Sequence, residues 1–99
     1  MKLSSYQRKQ LADEITKVYA NFVGIEYGYF LTPRERDRLV AFTLRILQLL
    51  NCREISTDNI KQCYKRTLKN FSDVALCFCA SLIVHDVLNI DFEFVPARG

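Results

Sequence analysis

Four cysteines and one histidine, Cys52, Cys63, Cys77, Cys79 and His85, carry the side-chain chemistry of a nucleophile or a metal ligand in this chain. A thiolate activated by an imidazole attacks electrophilic carbons, and three or four such ligands hold zinc. Spacing speaks against both. On a straight helix Cys77 and His85 stand about 12 Å apart along the axis, and Cys79 points well away from His85. The run C-x10-C-x13-C-x-C matches no zinc module. Buried, reduced thiols that act as small apolar residues are the expectation. The carboxylates Asp13, Glu14, Glu26, Glu35, Asp37, Glu54, Asp58, Asp73, Asp86, Asp91 and Glu93 are scattered, mostly beside basic residues. None stands out as a general acid and base pair, and no glycine-rich loop is built to cradle phosphate. The sequence therefore predicts no catalytic residue, no metal, no cofactor and no enzyme.

Positive charge is the second chemistry on offer. Lys61, Lys65 and Lys69 recur at i, i+4 and i+8 with Arg66 beside them. Arg34, Arg36 and Arg38 crowd the first turns of another helix, where the helix dipole opposes them. Arg34, Arg38, Lys61, Lys65, Arg66 and Lys69 make up the candidate nucleic-acid face. The same side chains serve equally as a solvated face that keeps the domain in solution. Aromatic residues are the third: Tyr27, Tyr29 and Phe30 around Gly28 either plug the end of a bundle or form a recognition loop. Phe92 and Phe94 lie in an alternating segment, IDFEFV, and join Tyr27, Tyr29 and Phe30 as candidate partner-binding residues.

Helices must position these groups, because three glycines and two prolines leave few places to turn. Leu11, Ile15, Val18, Tyr19 and Phe22 recur at helical spacing and predict an amphipathic first helix that stops at Gly24. Thr32, Pro33 and Glu35 are a capping box with proline at the first helical position, and the helix they open runs to about Leu50. CREIS is an extended bridge, after which Ser56 or Thr57 caps a third helix with Ile60, Cys63 or Tyr64, and Leu68 inward. Ser72 and Asp73 open a fourth, carried to about Leu88, in which VALCFCASLIV is apolar on every side. IDFEFV reads as a strand that joins residues 53–56, swaps onto a neighbouring subunit or adds to a partner's sheet.

The order helix, CREIS, helix, tight turn, helix, with IDFEFV as part of a wing, resembles the layout of a winged helix-turn-helix domain. That resemblance implies VALCFCASLIV as the recognition helix, and this segment lacks polar side chains to reach base edges. LTPRERDRL is similar to the opening of the LuxR-type helix-turn-helix. TLRILQLLNCREIS departs from that family's continuation, which leaves a good helix N-terminus and nothing more.

A net charge of +3 is mild for a nucleic-acid binder. The segment MKLSSYQRKQL lacks the apolar core of a signal peptide, and the longest apolar run is about half a bilayer span, so a cytoplasmic protein is expected. Composition and the absence of any linker predict one domain over residues 1–99. The predicted fold is all-α: a four-helix bundle with a short C-terminal β-strand, dimeric because two helices apolar nearly all round exceed what two amphipathic neighbours cover. Cys77, Ala80, Ser81 and Val84 are the expected dimer interface, their small side chains admitting a partner helix. The expected function is a non-enzymatic adaptor, regulator or inhibitor that occupies another protein's surface. The alternative is a dimeric nucleic-acid-binding transcriptional regulator that uses the basic face of the third helix.

Overall fold

The computed structural model describes residues 2–68 and 74–95. They form α1 (Ser5–Tyr27), α2 (Pro33–Asn51), α3 (Thr57–Leu68) and α4 (Val74–Leu88). Helix α2 sits in the middle, packed on α1, α3 and α4, while α1 also lies along α4. Leu39, Phe42 and Ile46 of α2 are fully buried. At 23 residues α1 spans about 35 Å, nearly the whole 37 Å length of the molecule.

Local chemistry sets the helix starts. Thr32 accepts from the Glu35 amide while the Glu35 carboxylate accepts from the Thr32 amide, with Pro33 where an amide would be unpaired anyway. Ser4 and Gln7 repeat that reciprocal cap at α1, and the Ser56 hydroxyl accepts from the Asn59 amide at the start of α3. Ser72, Asp73 and Lys69 lie outside the described residues.

Three local expectations fail for tertiary reasons. Gly24 does not end α1, which continues to Tyr27 and closes on Gly28 in the left-handed conformation, φ +66°. Gly24 lies inside the helix beneath the Phe30 ring, where a Cβ would lie 2.8 Å from Phe30 Cε1. CREIS is not extended: the amides of Arg53 and Glu54 bond back to Leu50 and Leu49 carbonyls at 3.2 and 2.9 Å, turning the chain directly into α3. The alternating IDFEFV does not form a strand, and no strand occurs among the described residues. Near its end the backbone bonds to side chains instead. The Phe94 amide donates to Ser81 Oγ at 2.9 Å, and the Tyr64 hydroxyl donates to the Val95 carbonyl at 3.2 Å.

The predicted inner face of α1 is also displaced. Its fully covered residues are small ones at every fourth position, Ala12, Thr16, Ala20 and Gly24, with Val23 beside them. They let α2 approach closely enough for Thr16 Oγ1 to lie 3.5 Å from Thr43 Oγ1, whose hydroxyl donates to the Leu39 carbonyl at 2.8 Å. Val18, counted inward from the sequence, is 63% exposed.

Cys77, Ala80 and Val84 are 2%, 0% and 0% exposed within this single chain, and Ser81 is spent on the Phe94 amide. They are not surface on which a second chain can rest. The sequence argument undercounted the cover available to α4: α1 and α2 pack on it, Tyr64 reaches Cys77 Sγ from α3 at 2.9 Å, and the segment after α4 folds back over it. VALCFCASLIV is no groove-reading helix either, since Leu76, Cys77, Cys79, Ala80, Ile83 and Val84 are buried and the outward Val74 and Phe78 are apolar.

Candidate protein-docking face

Val23 is buried with the small residues of α1 and Ile15 and Tyr19 pack half-buried against the core, but three of its larger apolar residues are turned outward. Val18, Phe22 and Ile25, at i, i+4 and i+7, share one stripe and are 63%, 40% and 72% exposed. Across from them α4 presents Val74, 71% exposed, and half-buried Phe78. Phe22 and Phe78 stack with centroids 6.2 Å apart, and the Tyr27 ring meets both edge-on at 6.3 and 5.2 Å. Between the helices lies a hollow of about 300 Å³ lined by Val23, Tyr27, Tyr29, Val74, Ala75 and Phe78. No charged side chain lines it among the described residues.

The predicted aromatic loop is therefore divided. Tyr27 and Tyr29 face this hollow, and the Tyr29 hydroxyl is anchored on the Glu35 carboxylate at 2.8 Å, the group that also caps α2. Phe30, 78% exposed, lies over Gly24 in a separate hollow with Lys17, Asn21 and Arg36. Phe92 and Phe94 join neither. Phe94 is 6% exposed, stacked on Tyr64 at 4.3 Å and edge-on to Phe42 at 5.7 Å, so it is core rather than an outward-facing contact. Phe22, Ile25, Val74 and Phe78 were missed as site residues. The legible signal was the second, small-residue stripe at 12, 16, 20 and 24, which already fills the inner face.

The thiols and the histidine do not assemble. All four sulfurs are thiols, with Cys52 exposed and Cys63, Cys77 and Cys79 buried. Burial pushes the Cys63 thiol up to about 11, and burial with the Cys77 contact pushes the Tyr64 phenol up as well. Both groups are held in their neutral forms, the opposite of nucleophile activation. His85 faces carboxylates, Asp86 at 3.0 Å and Asp91 at 3.5 Å, and Asp86 also accepts from the Tyr19 hydroxyl. Among the described residues no three of His, Cys, Asp and Glu converge as a metal ion requires.

The basic residues divide too. Lys61 and Lys65 are exposed on one flank of α3, whereas Arg66, about 100° round the axis from Lys65, turns toward α2. There it shares a hollow of about 180 Å³ with Arg45, Glu54, Asn59 and Gln62 over Cys63. Arg34 is exposed and Arg38 half-buried in the first turns of α2.

Comparison with protein-family models, with curated proteins and with solved structures gives no match. Among the described residues no helix is long and apolar enough to cross a membrane.

Proposed function

We propose that this protein is a small non-enzymatic interaction module whose α1–α4 face receives one apolar, amphipathic helix of another protein. The observation that carries this reading is the uncharged hollow lined by exposed Tyr27 and Val74 with Phe22 stacked on Phe78 at its edge, while exposed Val18 and Ile25 extend the apolar surface of α1 beyond Phe22. A free aromatic side chain presents about 150–250 Å², so the exposed fractions here amount to an apolar patch of a few hundred Å², the size that marks interaction sites. A stable dimer needs about 800 Å² on each partner. A hollow between two helices, rimmed by apolar side chains, suits a single helix laid in a groove, gripped at i, i+3 or i+4, and i+7. The stripe on α1 has the same spacing and offers matching ridges. A partner of this kind needs no catalytic group, and the protonated Cys63 and Tyr64 supply none.

The test is selection from a displayed library of helical peptides with wild-type protein as bait, counter-screened with the Ile25→Lys plus Val74→Lys variant. Enriched sequences with apolar residues on one face, bound by wild type and lost on the variant, support the reading. Binders indifferent to the two substitutions, or no enrichment at all, overturn it. A gel-shift series on duplex and single-stranded nucleic acid at low salt runs alongside. Binding abolished by Lys61→Glu plus Lys65→Glu would place the function on α3 instead.

A further inference from the structure

The segment after α4 is held in a way that makes it exchangeable between molecules. Ile90 and Phe92 pack half-buried against the core, and the most buried point of its grip is Phe94. Phe94 fills a slot walled by Phe42 and Tyr64, with Phe92 tilted against it at 4.7 Å; its amide donates to Ser81 Oγ, and the next carbonyl, that of Val95, accepts from the Tyr64 hydroxyl. None of these contacts requires slot and segment to belong to the same chain.

The connection is short and its geometry constrained. Ser81 lies seven residues before Leu88, about 10 Å back along the helix axis. Residues 89–93 reach at most about 17 Å when extended, so they must reverse sharply at the end of α4 to seat Phe94. The reversal is made at Asn89, which takes φ +56°, a left-handed conformation that a side chain other than glycine adopts at a cost and Asn tolerates best. Opening this turn relieves that conformation and carries the segment away from its own slot without changing what the slot fits.

We infer that the Phe42–Tyr64 slot is a binding site for the Phe94 segment of a second copy, so that two chains exchange residues 90–95 and form a closed, two-fold swapped dimer. The partner copy supplies the aromatic residue that completes each core. This dimer uses neither the α1–α4 hollow nor the buried Cys77 and Ala80 face, and it stands apart from the docking role proposed above.

The experiment is light scattering on full-length variants at matched concentration. Asn89→Val places a β-branched side chain at the positive φ and strains only the closed turn, so the dimer-to-monomer ratio rises by about tenfold over wild type. Asn89→Gly removes the cost and lowers the ratio. Deleting Ile90 and Asp91 cuts the reach to about 10 Å, no more than the distance back to Ser81, and favours dimer independently of Asn89. Adding Phe94→Ala to Asn89→Val returns the chain to monomer. Monomeric Asn89→Val and deletion variants, or a dimer that persists without Phe94, overturn the inference.

Discussion

Phe22 of α1 and Phe78 of α4 stack with ring planes 17° from parallel, and Phe22 still shows 40% of its surface to solvent. The stack joins the two helices and floors the docking face at once. A double-mutant cycle with Phe22→Ala and Phe78→Ala is expected to return a coupling of about 1 kcal/mol in urea denaturation. Additive losses would mean that the rings are neighbours without an interaction of their own.

The small-residue stripe makes a contrast that inverts the amphipathic pattern. Ala12→Leu forces a larger side chain into a fully covered contact with α2 and is expected to cost about 1–3 kcal/mol. Val18→Ser, at a position the periodicity assigns to the core, is expected to change stability by less than about 0.5 kcal/mol because the side chain is 63% exposed. Urea denaturation of the two variants checks both values, and a reversed order would return α1 to the orientation predicted from its large residues.

What the sequence made legible was local. Thr32, Pro33 and Glu35 specify their helix start through hydrogen bonds within four residues, and the end of α4 at Leu88 was placed as observed. Tertiary choices were not legible. Gly24 carries a stop signal, yet the helix runs past it and closes on Gly28, the glycine that takes the left-handed conformation. Ile90, Phe92 and Phe94 alternate as a strand does, but a strand needs a second strand, and Ser81 and Tyr64 bond the backbone near the end of the segment instead. The core side of α1 is centred on the small stripe, so of the predicted face Leu11, Ile15 and Tyr19 are half-buried, with Ile15 and Tyr19 packed against the core, while Val18 and Phe22 are exposed. That orientation decided the site, since it set Phe22 and Ile25 outside.

Alkaline pH should weaken the fold in a defined window. Burial holds the Cys63 thiol at about 11 against 9.0, so above pH 9 the unfolded chain releases a proton that the folded chain keeps. Stability intact below pH 9 is therefore lost as pH climbs toward 11, and the raised Tyr64 phenol acts in the same direction above its ordinary 10.0. Melting temperature measured across this range should fall less steeply in Cys63→Ala than in wild type. Identical slopes would contradict the assignment to Cys63.

Thiol labelling reads the burial pattern directly. Cys52 is exposed while Cys63, Cys77 and Cys79 are buried, so one thiol per folded chain should react rapidly with an aromatic disulfide reagent and three only on denaturation. Replacing Phe94 by Ala removes cover near Tyr64 and Cys77 and should bring a second thiol into the fast phase. An unchanged count in a folded Phe94→Ala chain would mean that the segment after α4 does not shield Cys77.

The docking face itself is tested most directly by nuclear magnetic resonance on labelled protein titrated with an amphipathic helical peptide recovered from selection. The expected result is perturbation concentrated on Val18, Phe22, Ile25, Tyr27, Val74 and Phe78, with the signals of Lys61, Lys65 and Phe94 unmoved. Saturable binding that leaves the α1–α4 face silent and shifts another surface would contradict the account.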